Sequence, residues 1–212
     1  MNRQPARSRI RGLYAIADTT VLAPDQLLPA VQQAIAGGAS VIQFRDKSDN
    51  SVLRLQQAQE LANLCRENNV VYIINDDATL AKAVAADGVH LGRDDPIPAG
   101  VRALLRPEAL VGVSCYNEIE LARKAKSDGA DYVAFGSFYP SSIKPDAVRA
   151  TTDLLHLASE ELDLPVVAIG GITPENGAEL VAAGADALAV ISGVFAANNI
   201  REAAKRYTRL FD

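Results

Sequence analysis

The stretch GADYVAFGSFYPSSIK, Gly129 to Lys144, sets a small turn (Gly129, Ala130, Asp131) before a short apolar run, Tyr132 to Phe135, and opens at Gly136 into a loop of hydroxyls that ends in a lysine. A strand that delivers a polar loop has this form. The phrase recurs as GGASVIQFRDK (Gly37 to Lys47), AADGVHLGRDD (Ala85 to Asp95) and GADALAVIS (Gly184 to Ser192). Each copy has the small turn and the apolar run, and three of the four end in a polar cluster. The repeat unit is about two βα units long, which points to a parallel α/β array.

Working outward, apolar runs predict strands at Leu13–Ala17, Val41–Arg45, Val70–Ile74, Val89–Leu91, Leu110–Val113, Tyr132–Phe135, Val166–Ile169 and Leu188–Ile191. Helical spacing predicts helices over Pro24–Ala36, Val52–Arg66, Ala78–Ala86, Ala99–Leu105, Ala150–Leu162 and Ile200–Leu210. Two more are expected to start at Asn117, with Glu120 completing a capping box, and at Thr173, with Pro174 in the first turn. The strands are continuous aliphatic runs, as in strands buried on both faces. Eight strands alternating with eight helices in about 200 residues imply an α/β protein, a single-domain TIM (β/α)8 barrel over residues 12–212. A doubly wound open sheet is the structural alternative, because periodicity does not show closure.

The 212 residues are 49% hydrophobic and 22% charged, ordinary values for a chain with one large core. Four arginines and no acid in the first eleven residues are read as a flexible, basic, solvated tail. A net charge of −5 argues against a nucleic-acid or anionic-membrane surface, and no apolar run reaches membrane-span length. Cys65 and Cys115 fall in separate elements without zinc or disulfide spacing and read as reduced thiols of a cytoplasmic protein.

A barrel of this kind builds its site at the C-terminal ends of the strands, and the polar residues gather there. Gln43 and Arg45 share a face of the second strand and Lys47 follows; Asn75 and Asp76 follow the third, Asp95 the fourth and Ser114 the fifth. Ser141, Ser142 and Lys144 follow the sixth, Gly170 and Gly171 the seventh, and Ser192 the eighth. A solvated loop explains any one of these and explains the set poorly. Asp76 and Asp95 are hard oxygen ligands suited to Mg²⁺, although either alone is more often a helix cap or a surface charge. Arg45, Lys47 and Lys144 are positive groups for phosphoryl oxygens, or surface charges paired with Asp46 and Asp49. Gly170 and Gly171, with Ser192 and Gly193, match the phosphate cradle that barrels form after strands seven and eight, or a tight turn.

Seven motifs in order, QFRDK (Gln43 to Lys47), IIND (Ile73 to Asp76), GVHLGRDD (Gly88 to Asp95), GVSC (Gly112 to Cys115), FGSFYPSSIK (Phe135 to Lys144), VVAIGGI (Val166 to Ile172) and AVIS (Ala189 to Ser192), resemble those of the thiamine phosphate synthases. The resemblance implies a transferase that couples hydroxymethylpyrimidine diphosphate to hydroxyethylthiazole phosphate. By motif match, Gln43, Phe44, Arg45, Asp46, Lys47, Asn75, Ser114 and Lys144 would hold the pyrimidine diphosphate, with Arg45, Lys47, Lys144 and Ser114 catalytic. Ser141, Ser142, Ile143, Gly170, Gly171, Ile191 and Ser192 would hold the thiazole phosphate, and Asp76 and Asp95 the Mg²⁺. The expected partners are these small molecules and, as an open question, a second copy of the chain.

Four positions depart from the pattern: Arg93 for glutamine, Ser137 for proline, Tyr116 for histidine and Ile143 for threonine. The alternatives are a thiazole tautomerase, a silent thiamine-precursor-binding paralogue, and another phosphate-handling barrel. Tyr116 weakens the first, since a phenol with a pKa near 10 is a poor base at neutral pH.

Overall fold

The computed structural model describes residues 6–140 and 148–212. Eight parallel strands close into a barrel in sequence order, with the last hydrogen-bonded to the first. They are β1 (Gly12–Asp18), β2 (Val41–Arg45), β3 (Val71–Asn75), β4 (Gly88–Leu91), β5 (Leu110–Tyr116), β6 (Tyr132–Phe135), β7 (Val166–Ile169) and β8 (Ala187–Val190). Closure removes the open-sheet alternative. The helices are α1 (Ala6–Arg9), α2 (Leu27–Ala36), α3 (Ser51–Glu67), α4 (Ala78–Ala83), α5 (Pro98–Arg102), α6 (Ile119–Ser127), α7 (Thr152–Glu161), α8 (Gly177–Ala182), α9 (Ser192–Phe195) and α10 (Ile200–Thr208).

Side chains alternate across each strand, so one set fills the barrel and the other meets the helices. Tyr14, Ile16, Val41, Ile73, Leu110, Tyr132, Ala134, Val167, Ala187 and Ala189 form the inner cluster. Leu13, Ala15, Ala17, Ile42, Phe44, Tyr72 and Ile74 face the helices. Both faces are therefore buried, which is why the strands read as unbroken apolar runs rather than alternating ones.

The repeat has a physical basis at the N-terminal end of the barrel. Asp87, Asp131 and Asp186 stand just before or at the start of the even strands and accept hydrogen bonds from the backbone of the preceding odd strand. The donors are Tyr72 N–H (3.0 Å), Val111 N–H (2.8 Å) and Val166 N–H (2.9 Å). At β2 the corresponding residue is Ser40, whose hydroxyl donates to the Leu13 carbonyl at 3.1 Å. Each carboxylate meets an arginine: Arg9 reaches Asp87 (2.7 Å), Arg7 reaches Asp186 (3.3 Å), and Arg102 pairs with Asp131.

Residues 6–10 thus differ from the solvated tail expected over residues 1–11, of which residues 1–5 lie outside the described residues. Ala6–Arg9 is helical and Ile10 is fully buried in the inner cluster, closing the bottom of the barrel. Two helix starts also differ. Helix α6 begins at Ile119 with no side-chain cap, because β5 runs on through Tyr116 with a bulge between Ser114 and Tyr116, so the Asn117 capping box does not form. Helix α8 begins at Gly177, after a turn in which Asn176 Oδ1 accepts from Thr173 N–H (2.8 Å) and its Nδ2 donates to the Gly171 carbonyl (3.1 Å).

Candidate active site

A cavity of about 680 Å³ opens at the C-terminal end of the strands, lined by residues from all eight strands or the loops that follow them. Alternation selects its floor. On β2, Gln43 and Arg45 continue the inward series that starts with Val41, and both line the cavity. Phe44 lies between them in sequence and faces outward, 1% exposed, among the helix-facing residues. Its side chain is therefore placed away from the cavity. Asp46 also turns aside, where its carboxylate accepts hydrogen bonds from Thr19 (2.9 Å) and from Ser48 N–H (2.8 Å) and shapes the loop.

Register sets Arg45 beside Asp18 at the ends of β2 and β1. The Arg45 guanidinium donates to Asp18 Oδ2 at 2.6 Å, while Oδ1 accepts from Thr20 N–H (2.9 Å) and the Thr20 hydroxyl (2.7 Å). Asp18 is 1% exposed and lines the cavity. Ending the first strand at Ala17 hides it; the rule that exposed the other strand-end residues would have found it one position later.

The double aspartate Asp76-Asp77 resolves into two roles. Asp77 is the N-cap of α4, its side chain accepting from Leu80 N–H at 2.8 Å, which leaves Asp76 to the rim. Asp76 sits at φ 62°, a sharp turn directly after β3. Its carboxylate pairs with Lys47 and shares a hydrogen bond with Asp95. Burial alone pushes the Asp76 carboxyl up, but the bonds from Lys47 and Asp95 outweigh it and hold it below the ordinary range. Burial and the adjoining Asp76 charge push Asp95 the other way, although the Gly92 amide donates to it at 2.7 Å.

Among the described residues no cluster of three or more His, Cys, Asp or Glu gathers to hold a metal. Two carboxylates held together against their mutual repulsion still fit a hard divalent cation, leaving its other positions to water and ligand oxygens.

Below the rim runs a chain of buried hydrogen bonds. Gln43 Nε2 donates to the Tyr14 hydroxyl at 3.0 Å, and the Tyr14 and Tyr132 hydroxyls lie 2.9 Å apart. Tyr132 is 3.1 Å from His90 Nδ1, and His90 Nε2 is 2.9 Å from Ser114 Oγ. Gly112 makes this possible. It lies between His90 and Tyr132 in the strand register, and a Cβ there would sit 2.0 Å from the Tyr132 ring. Burial pushes the His90 imidazole down to about 4 and the Tyr14 phenol up, so both stay neutral near pH 7. Tyr14 and Tyr132 were not singled out from sequence; their inward phase on the strands is the only signal they offered.

On the opposite wall, Gly170 (φ 105°) and Gly171 (φ 61°) turn the chain after β7, and Ile191, Ser192 and Gly193 follow β8, with Ser192 opening α9. Asn75 lines the cavity from β3. Ser141, Ser142, Ile143 and Lys144 lie outside the described residues. Arg93 lines the rim with its guanidinium 4.4 Å above the Tyr116 ring and 3.1 Å from Glu118. Cys115 does not meet His90: it faces outward, its thiol pushed up to about 12 by burial. Cys65 is likewise a buried free thiol. Among the described residues no helix is long and apolar enough to cross a membrane.

A closed (β/α)8 barrel with a cavity lined by polar groups at the C-terminal ends of its strands has the layout of the TIM-barrel enzymes. The family described as thiamine monophosphate synthase matches residues 13–194. The thiamine-phosphate synthase of Thiobacillus denitrificans is 53% identical over 202 residues, covering 94% of each chain. That of Nitrosococcus oceani is 49% identical over 204 residues, covering 96% of this chain and 94% of the relative. A solved thiamine phosphate pyrophosphorylase from Pyrococcus furiosus superposes with a TM-score of 0.86 at 33% identity, covering 96% of both chains. The chain belongs to the thiamine monophosphate synthase family and is a transferase.

Proposed function

We propose that the chain condenses hydroxymethylpyrimidine diphosphate with hydroxyethylthiazole phosphate to give thiamine monophosphate and pyrophosphate. The observation that supports this is one cavity with Arg45 on one wall and Gly170, Gly171 and Ser192 on another, while Lys47, Asp76 and Asp95 form a group in the loops that follow β2, β3 and β4, beside the residues that line it. A reaction between two phosphorylated rings needs both walls.

In this reading Gln43, Asn75 and Ser114 hold the pyrimidine ring, and Arg45 and Lys47 face the diphosphate. Phe44 and Asp46 contribute through the backbone that carries them. Gly170, Gly171, Ile191 and Ser192 hold the thiazole phosphate. Asp76 and Asp95 would hold Mg²⁺, which when bound supplies positive charge to the leaving diphosphate oxygens. The bond from the ring methylene to diphosphate breaks with its electron pair leaving on pyrophosphate, and Arg45 and Lys47 stabilise that growing negative charge. The methylene becomes cation-like inside the cavity, and the lone pair of the thiazole nitrogen closes the new carbon–nitrogen bond. No protein nucleophile is required, which agrees with a buried, protonated Cys115.

The tautomerase alternative has a tyrosine, Tyr116, where its histidine base would stand, and a phenol is a poor general base at neutral pH. Pyrophosphate release that needs both substrates, and stops on adding chelator, is the expected result. Absence of release with both substrates and Mg²⁺ present would overturn the proposal.

A further inference from the structure

We infer that the buried hydrogen-bond chain running Gln43, Tyr14, Tyr132, His90, Ser114 sets the donor and acceptor pattern of the cavity, presenting a carbonyl oxygen at Gln43 and a hydroxyl hydrogen at Ser114, and that Tyr14 and Tyr132 are thereby positioning residues selecting an amino-substituted over an oxo-substituted pyrimidine. This rests on the proposed function for the identity of the ring.

The direction follows from one end. Gln43 gives its Nε2 hydrogen to the Tyr14 hydroxyl at 3.0 Å. The Tyr14 oxygen has then accepted, and its own hydrogen goes to Tyr132 at 2.9 Å. Tyr132 in turn gives its hydrogen to His90 Nδ1 at 3.1 Å. A neutral imidazole that accepts at Nδ1 carries its proton on Nε2, which donates to Ser114 Oγ at 2.9 Å. Gln43 has therefore spent a donor inward and keeps its Oε1 for the cavity. Ser114 has accepted inward and keeps its hydrogen for the cavity.

Each hydroxyl has one hydrogen to give, and Tyr14 and Tyr132 are almost completely buried, so water does not share the task. The chain has two self-consistent directions. Its reverse would put Gln43 Oε1 on Tyr14, the imidazole proton on Nδ1, and the Ser114 hydrogen on His90. The cavity would then offer a donor at Gln43 and an acceptor at Ser114, which suits a ring carrying an oxo group beside a protonated ring nitrogen. The direction that starts from Gln43 Nε2 suits an amine at Gln43 and an unprotonated ring nitrogen at Ser114. Neither tyrosine need touch the ligand for this choice; each acts through the group it orients.

Two measurements test it. The first needs no activity. The sequence has two histidines, so ¹⁵N-histidine NMR of the chain at pH 7.5, with His156→Gln to assign the second ring, reads the His90 tautomer directly. The proton is expected on Nε2, and a proton on Nδ1 overturns the proposal. The second compares kcat/KM for the aminopyrimidine diphosphate and its oxo analogue. Tyr14→Phe and Tyr132→Phe should each reduce the preference for the amine by about tenfold or more, with the KM for thiazole phosphate unchanged. A preference equal to wild type in both variants overturns the selection. An inactive wild-type chain with the proton on Nε2 removes the pyrimidine reading of the site, and with it the selection, while the direction of the chain stands.

Discussion

Replacing Asp18 by asparagine keeps the shape of the side chain and removes its charge. Asp18 is buried at the top of β1 and holds three donors: Arg45 at 2.6 Å, the Thr20 amide at 2.9 Å and the Thr20 hydroxyl at 2.7 Å. Asparagine retains one acceptor oxygen, enough for the Thr20 turn, but sets a neutral amide against the guanidinium. Breaking a fully buried pair costs roughly 3–5 kcal/mol, and losing a charge-assisted hydrogen bond about 1.5–3 kcal/mol. The Arg45 side chain is 25% exposed, so water recovers part of its solvation and the lower range applies. We expect a loss of about 2 kcal/mol in urea unfolding, with the slope unchanged.

The same substitution reports on the site. With Asp18 gone, Arg45 is no longer held in one orientation, and the contact to diphosphate that the proposed function gives it weakens through lost preorganisation. An increase of about tenfold in KM for the pyrimidine diphosphate, or roughly 1.4 kcal/mol, is expected, with KM for the thiazole phosphate unaffected. The opposite outcome has a clear physical meaning. If Asp18 merely competes with substrate for Arg45, removing its charge lowers that KM. A lowered KM, or stability within about 0.5 kcal/mol of wild type, would refute the reasoning.

Further outcomes follow from the same contacts. Ile10→Ala should cost about 2–4 kcal/mol in urea unfolding, because Ile10 is fully buried at the floor of the barrel; a loss below about 1 kcal/mol would show that the end of the barrel tolerates its absence. Asp76→Ala should abolish pyrophosphate release while leaving the far-ultraviolet circular dichroism intact, since Asp76 sits at the rim; a near-normal rate in Mg²⁺ counts against its role. Burial pushes the thiols of Cys65 and Cys115 up to about 12. Folding therefore favours their protonated forms, and this contribution is intact below pH ~8.5 and lost as pH rises towards 12, by at most about 1.4 kcal/mol per pH unit per thiol. Unfolding at pH 8 and 10 checks the sign, and Cys→Ala at both positions should flatten the slope.

Strands were the most legible part of this chain because burial on both faces leaves an unbroken apolar signal. A motif match takes in a whole run of residues without regard to phase, so QFRDK groups Phe44 and Asp46 with Arg45, although alternation turns the Phe44 side chain towards the helices. Tyr14 and Tyr132 hid for the converse reason: a tyrosine in a strand reads as core, and its hydroxyl becomes informative only when Gly112 leaves room for the Tyr132 ring to meet His90. The double aspartate at 76 and 77 was ambiguous until Asp77 was seen to cap α4. The helix starts failed where loop residues turned to tertiary partners, as with Asn176 reaching back to Gly171.

The basic start of the chain shows how one repeat serves both ends of the barrel. Read locally, Arg7 and Arg9 are charges on a polar segment, and a solvated tail is the economical interpretation. Their partners are Asp186 and Asp87, residues of the small turns that identified the repeat. Those aspartates already accept a backbone amide from the preceding strand, so each carries a negative charge at the bottom of the barrel that wants a cation. Arg102 answers Asp131 from α5, and the first helix answers the other two. The turn of each repeat thus fixes strand register at the N-terminal end. The C-terminal end of each copy is left free to differ, and there the copies diverge into Arg45 and Lys47, Asp95, and Ser192. A repeated structural device below and a varied chemical one above require the same modules, which is why the sequence signature of the fold lies next to the residues of the site.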